Sequence, residues 1–135
     1  MASEPRVGCG AAIVRDGSIL LLQRLRAPEA GHWGIAGGKV DWLEPVPRAV
    51  EREILEELGV RIEAMRLLCV VDQIDVAGDE HWVAPVYLVT SSSGEPRIVE
   101  PDKHAALGWF PLTGLPAPLT AAARTAIAAL QALPR

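Results

Sequence analysis

Glu53, Glu56 and Glu57 fall close together near the end of a helix that the sequence predicts from about Pro47 to Leu58. On a helix of about 3.6 residues per turn they share one face, where like charges destabilise by roughly 0.2–0.5 kcal/mol per pair. The last turn also carries the negative end of the helix dipole, which favours cations. Local stability therefore gives no reason for three acids there. A divalent cation gives one, because hard ions such as Mg²⁺ take carboxylate oxygens and cancel their repulsion. Such ions also neutralise a phosphoanhydride, bridge its oxygens and turn bound water into hydroxide. The chemistry these residues suit is the binding of such an ion.

The acids belong to a longer pattern. Glu44 lies eight positions before Arg52, and Gly38 six before Glu44. Gly38 to Val60 reads G-x5-E-x7-R-E-U-x-E-E-x-G-U, with Ile54 and Val60 as the aliphatic positions U. This matches the Nudix box without a mismatch, and the chain resembles the Nudix hydrolase family. The resemblance implies an α+β chain in the Nudix fold, an α/β/α sandwich whose mixed β-sheet carries the box as a loop–helix–loop. It implies metal binding by Glu53, Glu56 and Glu57, with the backbone carbonyl of Gly38 nearby, Mg²⁺ as cofactor and Mn²⁺ as a substitute. A glycine at that position suits close approach of a metal to the backbone, since no Cβ intervenes. Arg52 and Glu44 match positions that orient the carboxylates, a role that commonly tunes metal sites. An i,i+4 salt bridge from Arg52 to Glu56 is a second role open to the arginine.

Two departures from the family pattern stand out. Many relatives carry an acid before the tryptophan of the late strand, where this chain has Gly108 before Trp109; the nearest acids upstream are Glu100 and Asp102. Glu100 is the candidate for an additional metal ligand, with an exposed turn carboxylate as the competing reading. Ala36 stands where a proline usually precedes the paired glycines.

The segment Glu95 to Lys103, followed by Trp109-Phe110-Pro111 and Leu115-Pro116, looks like a MutT-like subgroup that includes nucleoside triphosphate diphosphatases. That resemblance implies a small-molecule nucleotide substrate, a nucleoside triphosphate cleaved to monophosphate and pyrophosphate. The alternatives are ADP-ribose or a nucleotide sugar on the same fold, and a non-catalytic nucleotide-sensing module. Arg24, Arg26 and Lys39, with Gly37, are candidates for the phosphates. His32, Trp33, His81 and Trp82 flank pocket loops as candidates to stack on or hydrogen-bond a base, with core packing open for both tryptophans and a surface role for both histidines. Relatives are often homodimers, which is the expectation here.

These residues need a scaffold, and 135 residues suit one domain spanning 1–135 with a sizeable core. Half the residues are hydrophobic and the net charge is −4, from 13 basic and 17 acidic side chains. With no basic run or aromatic–basic alternation, nucleic acid is not an expected partner. Met1 to Arg6 lacks the features of a signal peptide, and no stretch approaches the roughly 20 apolar residues that span a membrane. Cys9 and Cys69 lie apart in apolar runs and read as buried free thiols of a reducing cytosol, so the expected location is cytoplasmic.

Strands are predicted at Val7 to Val14 and Ile19 to Leu22, joined by the Asp16-Gly17 turn. Further strands are predicted at Arg61 to Ile74, His81 to Thr90 and Leu107 to Phe110. Loops are expected at Ala27 to Gly31, Ala77 to Glu80 and Ser91 to Pro96. Val50, Ile54 and Leu58 form the buried stripe of the box helix, Gly59 closes it, and Leu119 to Leu133 forms an Ala-rich second helix. Strands interleaved with two helices suggest a mixed sheet covered on both faces.

Overall fold

Four consecutive aliphatic residues, Ile19 to Leu22, are each no more than 3% exposed, which requires a sheet covered on both sides. The computed structural model describes residues 3–134; the leader reading of the first six residues rests partly on Met1 and Ala2, which lie outside them. The elements are β1 (Arg6–Arg15), β2 (Ser18–Arg24), β3 (Trp33–Gly34), β4 (Ala36–Lys39), α1 (Val46–Leu58), β5 (Arg61–Asp75), β6 (Glu80–Ser93), β7 (His104–Pro111) and α2 (Ala121–Gln131). One sheet runs in the order β3-β2-β1-β6-β5, with β4 also on β1 and β7 also on β2. β1 and β6 are parallel and the other pairs antiparallel, so the sheet is mixed as expected.

Side-chain alternation assigns the two faces. Cys9, Ala11, Ile13, Leu20 and Leu22 join Val50, Ile54 and Leu58 of α1 in one core. Ala12, Ile19 and Leu21 join Ala123, Ala126 and Ile127 of α2 in the other. The helices thus lie on opposite faces. Asp16 at φ 52° and Gly17 at φ 77° both adopt the left-handed conformation that a two-residue hairpin turn needs. Gly59, at φ 69°, closes α1 by donating its N–H to the Leu55 carbonyl. Thr120 starts α2 by accepting from the Ala123 N–H.

Long-range pairing moves several boundaries. β6 continues through Ser91–Ser93, expected as a turn, because Arg61, Ile62 and Ala64 supply partners for its backbone. β7 starts at His104, three residues before the apolar run that marks it in sequence, because its backbone continues pairing down β2 as far as Arg24. Trp33–Gly34 and Ala36–Lys39 form short strands on β2 and β1. Both cysteines are free; Cys9 is buried, whereas Cys69 is only half-buried, being on β5 at the edge of the sheet. Burial pushes the Cys9 thiol up to about 11. Among the described residues no helix is long and apolar enough to cross a membrane.

Candidate active site

The paired glycines of β4 join the box helix to the sheet. Gly37 and Gly38 pair with Gly10 and Cys9 of β1. A Cβ on Gly37 would collide with the Cys9 carbonyl, and one on Gly38 would occupy the place of the Glu53 carboxylate. Only glycine lets α1 and β1 approach this strand so closely. The Gly37 N–H donates to Glu57 Oε1 at 3.1 Å. The C-terminal carbonyls of α1 are satisfied from the following segment: Arg97 N–H donates to Leu58 O at 3.0 Å, and Val99 N–H to Glu57 O at 3.2 Å. These two bonds carry Glu100 to the end of the box helix.

Arg52 is the hub of the acidic cluster. Its guanidinium grips Glu44 with two bonds, Nε to Oε2 at 2.8 Å and Nη2 to Oε1 at 2.9 Å. Nη1 reaches Glu53 at 2.9 Å and Glu56 at 3.3 Å, and Nη2 reaches the Lys39 carbonyl at 3.0 Å. Arg52 therefore contacts Glu44 and Glu53 and makes the i,i+4 bridge to Glu56 at the same time. The Arg52 fork, followed by the Asp41 N–H, holds the Glu44 carboxyl down at about 2, and Glu44 in turn raises the arginine.

Glu57 has the opposite environment. It is 5% exposed, and burial, reinforced by the charges of Glu53 and Glu100, pushes its carboxyl up to about 8 against the lowering effect of the Gly37 N–H. Glu53 is also raised, chiefly by burial, while Arg52 opposes the shift. Glu56 remains 54% exposed. Glu100 accepts an ion pair from Lys103 at 3.1 Å. Among the described residues no three His, Cys, Asp or Glu side chains converge as a ready-made cage. Arg52 instead holds Glu53 and Glu56 on its own side, so an ion would compete with the guanidinium for them. The donors still fit a hard divalent cation: they are carboxylate oxygens, and the buried Glu57 is crowded by Glu53 and Glu100. The residues that would hold such an ion are Glu53, Glu56 and Glu57, with the Gly38 carbonyl and Glu100.

A cleft of about 420 Å³ borders the same glycines on the α2 side of the sheet. It crosses β4, β1, β6 and β5, three strand-to-strand steps of about 4.8 Å, which is on the order of a nucleotide's length. Arg24, Gly37, Gly38, Lys39 and Trp82 line it, as does the β5–β6 hairpin end with Gln73, Asp75 and Glu80. Gln73 faces Trp82, and Asp75 faces Glu80, as cross-strand partners. The Trp82 ring lies beside Gly8, and Arg6 is stacked 5.7 Å from its centre. Glu29 pins the covering loop, accepting from Gln73 Nε2 at 3.1 Å and from the Ala121 N–H at 2.9 Å.

Four substrate candidates lie elsewhere. Arg26 is tied to Asp102 on the surface, and His81 to Asp72 at 3.0 Å. Trp33 packs edge-on against Phe110 at 4.9 Å, so its ring serves the core. His32 turns back to the Ala30 carbonyl at 3.3 Å. In each case a partner that does not line the cleft, or the local turn, captures the side chain. Gln73, Asp75 and Glu80 carried only a weak signal in sequence, polar residues at the end of a predicted hairpin. His104, whose Nε2 lies 3.3 Å from Glu57 Oε2, carried none.

A sequence model of the NUDIX domain matches residues 4–130. The crystal structure of a MutT NUDIX hydrolase from Burkholderia pseudomallei is similar with a TM-score of 0.94 and 69% identity, covering 95% of this chain and 99% of that one. The putative 8-oxo-dGTP diphosphatase 2 of Mycobacterium tuberculosis is 40% identical over 101 residues, 73% of this chain and 67% of that protein. The ADP-ribose pyrophosphatase of Methanocaldococcus jannaschii is 33% identical over 113 residues, 84% of this chain and 66% of that protein. The matches thus span about two thirds of the length of these two curated relatives. With the domain match running through the box, the seven strands of the described residues and all but the last residue of α2, this chain belongs to the Nudix hydrolase family.

Proposed function

We propose that this Nudix hydrolase cleaves a nucleoside triphosphate, deoxy or damaged forms included, to the monophosphate and pyrophosphate with Mg²⁺. The observation that carries the reading is a shared strand: the β4 glycines that line the cleft also meet Glu57 and Glu53 of α1. Arg24 and Lys39 line that cleft and supply positive charge for the phosphates. Trp82 offers a ring for base stacking, which is worth about 1–3 kcal/mol per base. Asp75 and Glu80, when ionised, present acceptors only, which suits the donor groups of a base, an exocyclic amino group among them. Arg52 holds Glu53 and Glu56 in place, and the Gly37 N–H orients Glu57. Mg²⁺, when bound, supplies charge neutralisation and an activated water. The name of one relative, a putative 8-oxo-dGTP diphosphatase, supports this reading, while that of another, an ADP-ribose pyrophosphatase, supports the alternative.

The test is a panel of nucleoside triphosphates, oxidised dGTP, ADP-ribose and dinucleoside polyphosphates, ranked by kcat/KM with product analysis. Pyrophosphate release from an amino-bearing triphosphate is the expected result. Preference for ADP-ribose, or release of orthophosphate alone from a triphosphate, would overturn it.

A further inference from the structure

His104 opens β7 opposite Arg24 and is 8% exposed. Its Nε2 faces Glu57 Oε2 at 3.3 Å. Its Nδ1 is the one buried side-chain nitrogen or oxygen, among the described residues, with no hydrogen-bond partner. Buried polar atoms are almost always satisfied, and each exception calls for a reason. Core packing supplies none, since an apolar side chain would fill the same space without leaving a ring nitrogen unpaired.

The reason lies in what the other nitrogen does. Glu57 Oε1 is held from β4 by the Gly37 N–H, and Oε2 faces β7 through His104. One contact fixes the carboxylate at one oxygen; the second fixes its plane. An ionised carboxylate has about four lone-pair sites, so two contacts leave sites free for a cation. We propose that His104 is a positioning residue for Glu57: with Nε2 as donor, it locks the carboxylate in the orientation that presents its remaining lone pairs to a divalent ion. The proposal rests on the metal-binding reading of Glu57. It also assigns the tautomer, because donation to the carboxylate requires the proton on Nε2 and leaves Nδ1 as the unpaired acceptor.

The test uses the metal alone. Titrating the 135-residue protein with Mn²⁺, followed by electron paramagnetic resonance of the free ion, gives an affinity that needs no substrate. His104→Phe fills the volume without a donor, His104→Gln places an amide near the Nε2 position, and His104→Asn places it near Nδ1. Removal of such a supporting partner commonly costs 10–100-fold in metal affinity. Phe and Asn are expected to show that loss, Gln to stay within a few-fold of the parent, and KM at saturating metal to stay unchanged. Nitrogen NMR of the Mg²⁺-loaded parent, in which Glu57 is ionised, is expected to report the Nε2–H tautomer, which decides the matter even should the Phe variant fail to fold. A parent that binds Mn²⁺ together with a His104→Phe variant that binds it equally well would overturn the role of His104, as would an Nδ1–H tautomer. A parent that binds no Mn²⁺ would instead overturn the metal reading beneath it.

Discussion

Replacing Glu57 by Gln should make the metal-free protein more stable while removing its activity. In the unfolded chain this carboxyl titrates at its ordinary value of 4.5, whereas burial in the fold raises it to about 8. At pH 7 the unfolded residue is ionised and the folded one protonated, so folding must take up a proton. The 2.5 pH units between the ordinary value of 4.5 and pH 7, at about 1.4 kcal/mol each, make this an opposing contribution of about 3 kcal/mol. The sign follows from the raised value: the opposition is absent below pH 4.5, grows as pH rises and levels off above about 8. Gln has the same shape, can still accept the Gly37 N–H and has no charge to lose. In EDTA at pH 7 the variant should therefore exceed the parent by about 3 kcal/mol, roughly 10 °C in Tm for a domain of this size. The advantage should vanish near pH 4. Mg²⁺ should narrow it, since ligand at one hundred times its Kd adds about 2.7 kcal/mol to whichever form binds it. Urea denaturation at pH 4, 5.5 and 7, with EDTA and with Mg²⁺, measures all of this. A variant that gains nothing between pH 4 and pH 7 would show that Glu57 does not carry the burial assigned to it.

Gly37→Ala should destabilise the fold by about 3 kcal/mol or more, because the new Cβ meets the Cys9 carbonyl and the Gly10 backbone, neither of which can rotate away; a guanidinium midpoint close to the parent's would refute this. Glu44→Gln should lower stability at neutral pH and converge with the parent near pH 2, since a carboxyl held down at about 2 contributes stability above 4.5 that disappears as pH falls; identical acid-unfolding curves would contradict the pairing with Arg52. Arg52→Lys loses the two-pronged grip on Glu44, and kcat should fall about 10–100-fold with an unchanged circular dichroism spectrum; parent-like kcat would reduce the guanidinium to a bystander. Trp82→Ala should raise KM about tenfold or more with little change in kcat, as expected for lost stacking present equally in ground and transition states; an unchanged KM would move the base elsewhere.

The box helix was legible without coordinates because its determinants are local. Val50, Ile54 and Leu58 recur at helical spacing and are fully buried, and Gly59 takes the left-handed turn that its position after Leu58 suggested. Asp16-Gly17 likewise specified its turn through the backbone conformations those residues tolerate. The bridge from Arg52 to Glu56 was legible for a related reason, since Glu56 is one helical turn away, whereas the pairing of Arg52 with Glu44 came only with the structure.

The cleft was not legible in that way. Arg24 and Trp82 line it, while the equally plausible Arg26 and Trp33 do not, because Asp102 and Phe110, remote in sequence, capture those side chains. His104 shows the limit most clearly, since no pattern marks it and only the pairing of β7 with β2 brings it beside the end of α1. Residue types and short-range spacing determine turns, caps and helix faces, because those depend on backbone geometry over a few residues. Which side chains share a site depends on strand register and on competition among distant partners, and that was decided only when the sheet closed.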